Sequence, residues 1–130
     1  MKLNLIALFA LLMISLGSLQ CKKNTPSRQV LTGKLIVNGP CDHYAIQLLT
    51  GSIDTANIEA SWYDSDNGVT YPNAFSASNY CSFGNNGLKV GDTFSFQIDP
   101  NPMVQTCPVC MTAVAVPTKQ NSVINVHKLN

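Results

Sequence analysis

From Val30 onward no run of ten residues keeps the 3.6-residue period of an amphipathic helix, whereas short alternating runs recur between turn signals. That pattern constrains the fold more than any other feature of the chain. It predicts an all-β domain of seven or eight short strands. A chain of this size can close such strands into one small single-domain barrel, OB-like or SH3-like, or stack them as an Ig-like β-sandwich. Periodicity does not choose between the two.

The clearest strand is Thr93–Ile98, with Phe94, Phe96 and Ile98 on one face and Thr93, Ser95 and Gln97 on the other. Leu88–Asp92 reads as the turn leading into it, and Asp99-Pro100-Asn101-Pro102 stops it. Upstream, Val30–Val37 forms an apolar strand around Gly33, a residue suited to a bulge, and His43–Thr50 alternates along its length. Ile58, Ala60 and Trp62 alternate with Glu59, Ser61 and Tyr63. Asn67-Gly68 then predicts a hairpin turn, because both residues tolerate positive φ. Val69 and Tyr71 begin a returning strand that Pro72 should end or confine to an edge. Phe75–Tyr80 is a further short strand and Gly84–Gly87 a loop, with Met111–Val116 and Ser122–Leu129 as the last two strands.

The chain before Val30 has a different composition. Met1-Lys2 is a short positive start, Leu3–Leu16 is apolar apart from Asn4 and Ser15, and Gly17-Ser18 supplies small residues. Residues 1–20 therefore read as a signal peptide, too short for the ~20 apolar residues that span a bilayer as a helix. Leu16-Gly17-Ser18-Leu19-Gln20-Cys21 resembles a bacterial lipobox, with Gln20 where the strict pattern has a small residue. The resemblance implies cleavage before Cys21, whose thiol carries diacylglycerol and which is then acylated, as with palmitate. Ordinary cleavage after Gly17 is the alternative. Residues 21–29, with Lys22, Lys23, Pro26 and Arg28, read as a lipid-anchored flexible linker beside anionic headgroups, and 30–130 as the β-domain.

Five cysteines stand at 21, 41, 81, 107 and 110. If Cys21 carries lipid, the other four make an even set, enough for two disulfides in an oxidising compartment. Of the three connectivities, Cys41–Cys81 with Cys107–Cys110 is favoured, because it closes one local loop and leaves one long staple. Cys107-Pro108-Val109-Cys110 also invites a redox or metal reading. A redox dithiol needs a helix after the motif, and the β-branched Met111–Val116 does not supply one. Metal-ligand candidates are Cys107 and Cys110 with His43, and also Cys41 or Cys81. Only one C-x-x-C is present, where a zinc ribbon needs two close ligand pairs.

Other chemistry is thin. Asp64-Ser65-Asp66-Asn67-Gly68 begins like an EF-hand loop, but its glycine comes one position early and no Glu follows at the bidentate position. His43 and His127 lack a carboxylate motif nearby, and no G-x-S-x-G elbow occurs. No catalytic residue and no cofactor is assigned. Trp62, Tyr63 and Tyr71 are candidates for an exposed aromatic face that meets a glycan or peptide, although such residues more often serve core or cross-strand packing. Residues 30–130 hold four lysines against seven acids and no basic cluster, which argues against nucleic-acid binding.

Taken together, Gly39-Pro40-Cys41-x-His43-Tyr44-x-Ile46-Gln47-x-Leu49, Ser61-Trp62-Tyr63, Asn79-Tyr80-Cys81, Val90–Phe96 and Cys107-x-x-Cys110 resemble small lipoproteins of Bacteroidota type. The resemblance implies a cell-envelope location and a disulfide-bearing β-domain, and it carries no activity and no functional residues. The domain would be lipid-anchored to the outer or inner membrane, facing the periplasm or the exterior. Its expected role is non-enzymatic: binding an envelope protein or glycan while the N-terminal lipid holds the membrane. A metal or thiol-redox protein built on Cys107 and Cys110 is the alternative.

Overall fold

A computed structural model describes residues 28–130. The expected signal peptide, Cys21 and the expected linker up to residue 27 lie outside the described residues. The domain is all-β, with strands β1 (Leu31–Gly39), β2 (His43–Thr50), β3 (Glu59–Asp64), β4 (Val69–Ala77), β5 (Thr93–Ile98), β6 (Gln120–Asn121) and β7 (Val123–Lys128). All seven belong to one sheet in the order β3-β4-β2-β1-β5-β7, with β6 pairing in parallel to β4 and every other ladder antiparallel. They are not divided into the two stacked sheets of the sandwich alternative, and the single sheet stays open. Only Ser122 separates β6 from β7. One C-terminal run therefore bonds to β4 at its start and to β5 at its end, and the sheet must curl to allow it.

The concave side of that curl holds the main core. Leu31, Leu35, Ile46, Phe75, Phe94 and Phe96 are almost wholly buried there. Their rings meet in tilted pairs, Phe94 and Phe96 at 5.6 Å and Phe83 and Phe94 at 6.0 Å, the geometry that opposed ring edges and faces favour. Gly33 sits among them. A Cβ at that position would come within 2.9 Å of Ile46 Cγ2 and of Phe96 Cε1, and the ladder to β2 shifts register beside it, as the predicted bulge requires.

One segment resolves an alternative that the sequence left open, and two depart from the sequence reading. β4 runs through Pro72, because residues 69–73 pair only with β3 and one strand edge there needs no donor. Asn73, at φ 53, breaks the two-residue period, so Tyr71 and Ala74 fall in one cluster although they stand three positions apart. The expected strand over 75–80 ends at Ala77, and Tyr80–Phe83 forms a short helix, α1. The turn is made by buried Asn79. Its side chain accepts from Val123 N (2.8 Å) and donates to Val123 O (2.7 Å), doing for β7 what a neighbouring backbone would. The expected strand over 111–116 joins no ladder at all.

That last segment belongs to a long connection, residues 99–119, whose C-terminal part forms a strap across the convex side of the sheet. Beneath it Ile36, Ala45, Trp62 and Ala74 are buried, with Val37, Tyr71, Ala115 and Val116 packed against them. Polar anchors replace the missing ladder. Ala115 N donates to Asp66 Oδ2 (3.2 Å), Thr118 N to Glu59 Oε1 (2.6 Å), and Ser76 Oγ to the Pro117 carbonyl (2.5 Å). An extended, β-branched chain thus covers a sheet face without becoming a strand.

Candidate functional site

The disulfides join Cys41 to Cys110 and Cys81 to Cys107, with Cα separations of 5.3 and 5.7 Å. This replaces the favoured Cys41–Cys81 and Cys107–Cys110 pairing. Cys41 lies in the β1–β2 turn and Cys81 in α1, so each sits near a different end of the C-x-x-C. The motif is therefore neither a redox dithiol nor half of a metal site in this state. It carries one terminus of each of two bridges. All four thiols of the metal reading are consumed, and among the described residues no three His, Cys, Asp or Glu are grouped to hold a metal ion. His43 Nδ1 lies 2.9 Å from the Pro40 carbonyl, and His127 is exposed on β7.

Both bridges fasten the same loop, and that loop has an unusual surface. Pro100–Thr118 contains no charged residue. Met103 (83%), Val104 (89%) and Met111 (104%) are fully displayed to solvent, and Val109 is half exposed. Single exposed apolar residues are ordinary, but several clustered in one charge-free segment mark contact surfaces. The loop base is organised by Gln105, which accepts from Cys81 N (3.2 Å) and donates to the Met103 carbonyl (3.0 Å). Cys107 N in turn donates to Cys81 Sγ at 3.2 Å.

The position of this loop follows from β1. Leu31 begins that strand beside Arg28, whose carbonyl accepts from Gln97 Nε2 at 2.9 Å. Cys41, bridged to Cys110, follows its far end. Nine residues of strand put roughly 25 Å between the point where the linker joins the domain and the bridge that fastens the loop.

Beside the loop a small cleft of about 160 Å³ opens between the β1–β2 turn, the start of α1 and the strap. Asp42, His43, Tyr44, Tyr80, Val109 and Gln120 line it, together with the Cys41 end of the disulfide. Cys41 and Asp42 are both left-handed, at φ 64 and 62, a conformation that turns the chain sharply enough to bring Asp42 over Tyr44. The Tyr44 hydroxyl donates to Asp42 Oδ1 at 3.0 Å. Burial, then this hydrogen bond and the Asp42 charge, raise the Tyr44 pKa above its usual value.

The expected aromatic face is not exposed as a unit. Trp62 and Tyr71 stack at 6.0 Å and 20° within the convex-side cluster, and only Tyr63 projects into solvent. The acidic hairpin is structural too. Asp64 is buried and accepts from Asp66 N, Asn67 N and Asn67 Nδ2, while Gly68 alone takes positive φ. Glu59 and Asp66, which stand in the sequence only as an alternating strand residue and part of a turn, anchor the strap. Only the position of the acids opposite a charge-free segment could have suggested it. No protein-family model matches this chain, nor does any curated protein or solved structure.

Proposed function

We propose that this protein is a lipid-anchored, non-enzymatic binding module of the cell envelope, and that the disulfide-fastened loop around Met103–Met111 is its contact surface. One observation carries the reading: both disulfides are spent on holding one exposed, charge-free, apolar segment. Fixing a loop before contact lowers the entropy lost on binding, which is how rigid recognition loops gain affinity. The anchor rests on the signal-like first twenty residues and on cysteine parity. The four cysteines of the domain pair with one another, which leaves Cys21 for the lipid. Exposed Met and Val side chains suit an apolar hollow on a protein better than a glycan, whose recognition relies on aromatic faces and directed hydrogen bonds.

The reading is tested in cells with a photo-crosslinking residue placed at Met111 or Val104, and at Val90, an exposed apolar residue outside the loop, as a control. Discrete adducts from the loop positions alone are expected, and they should vanish from the membrane fraction in Cys21→Ser. Identical patterns at Val90, or none from the loop, would overturn it.

A further inference from the structure

We infer that the cleft beside the loop is a receptor for a basic side chain, lysine or arginine, carried by the partner that the loop contacts. The inference rests on the binding-module reading and adds the chemistry of what is bound.

Asp42 is the only Asp, Glu, Lys or Arg lining the cleft, and the neighbouring His43 has its Nδ1 turned to the Pro40 carbonyl. Its Oδ1 accepts the Tyr44 hydroxyl, and the other oxygen remains for a ligand. Lys128–Asp92, at 2.8 Å, is the one ion pair between side chains among the described residues, so Asp42 has no cationic partner within the domain. Partial burial makes such an unpaired carboxylate a stronger attractor than a fully solvated one.

The walls favour the same occupant. Tyr44 and Tyr80 present aromatic surface to a cation, and Val109, Val116 and Ala77 offer apolar contact to an alkyl stem. Long basic side chains have that same division between an apolar stem and a charged head. A volume of about 160 Å³ falls below the 300–1,000 Å³ of sites for drug-sized ligands and suits a single side chain. Charge complementarity extends to the whole domain, whose seven acids outnumber its lysines. Val109 belongs both to the cleft wall and to the exposed loop, so a basic residue flanked by apolar ones would engage the two together.

The test titrates the full chain, purified in detergent, with Nα-acetyl-lysine amide and with Nα-acetyl-norleucine amide, which keeps the alkyl stem and lacks the ammonium, following the Tyr44 and Tyr80 ring signals by NMR. Saturable shifts at roughly millimolar lysine amide are expected for so small a contact, with none for the norleucine compound. Asp42→Asn should weaken the lysine response at least tenfold. Asparagine keeps both the left-handed backbone and an acceptor for the Tyr44 hydroxyl, so the fold is retained. An equal response to norleucine amide, or an undiminished one in Asp42→Asn, would overturn the inference. If the lysine probe fails while Met111 adducts persist, the cleft assignment falls and the module reading stands. If the probe binds but no loop adducts form, the module reading fails instead.

Discussion

The two sides of the curled sheet are covered by different means. On the concave side, alternating Leu, Ile and Phe residues from β1, β2, β4 and β5 meet one another directly, and the backbone ladders hold them there. On the convex side, a smaller cluster around Trp62 is roofed by a segment with no ladder of its own, held by side-chain acceptors and by bridges near its start. The first arrangement follows from the periodicity of each strand. The second depends on contacts between residues about fifty positions apart in sequence, which no local pattern encodes. The concave core thus serves stability, and the covalently fastened loop is left to display a surface.

That contrast can be broken from the concave side first. Phe96→Ala removes a fully buried ring and should lower stability by about 3–5 kcal/mol, the usual cost of a large cavity. Hydrogen exchange should then quicken together at Leu35 in the core and at Ala115 in the strap, because global unfolding exposes both. Quickening confined to either one would show that the two sides unfold independently.

Removing a bridge should separate them. Cys41→Ser with Cys110→Ser is expected to cost about 2–4 kcal/mol against chemical denaturant, and to speed exchange at Ala115 far more than at Ile46. Equal acceleration at both amides would mean that the bridge supports the whole sheet and not the loop.

The smallest effect concerns the end of β7, where Lys128 pairs with Asp92. The Lys128 hydrogen bond, then that from Lys89 N, hold the Asp92 pKa below its ordinary value. A depressed carboxylate pKa contributes stability above the unfolded value, and that contribution is lost as pH falls through the folded one. Acidification below about pH 4 should therefore loosen the Lys128–Leu129 backbone while the Trp62 environment is unchanged. The NMR signals of the two sites, followed between pH 6 and 3, check this. Simultaneous change at both would refute a local clip.

The strands that were legible in the sequence are those whose signal is local. Phe94, Phe96 and the bulge at Gly33 stand where alternation and a missing Cβ put them. Pro72 left two outcomes open, a strand end or an edge, and only the sheet order shows that β4 has an unpaired edge there. Met111–Val116 misled because β-branched alternation specifies an extended chain and not a hydrogen-bonding neighbour. Trp62 takes the packing role, the commoner one for such a residue, but what covers it was not legible: Ala115 and Val116 arrive from a distant segment. Within the candidate site, the four bridge cysteines could be read as a set. Their pairing could not, since it depends on where the β1–β2 turn and α1 stand in space, and the role of Asp42 emerges only once two left-handed residues swing it over Tyr44.

The arrangement of the bridges has a consequence for biosynthesis. An oxidase acting on domain cysteines in the order in which they emerge would join 41 with 81 and then 107 with 110, which is the wrong product at both steps. Each native bridge has one end in residues 107–110, so neither forms until that late segment has met the turn at Cys41 or the helix at Cys81. A cell making this protein must therefore delay oxidation until the chain is nearly complete, or supply an isomerase to reshuffle the early bonds. The yield of correctly bridged protein becomes a direct report on which of the two it does.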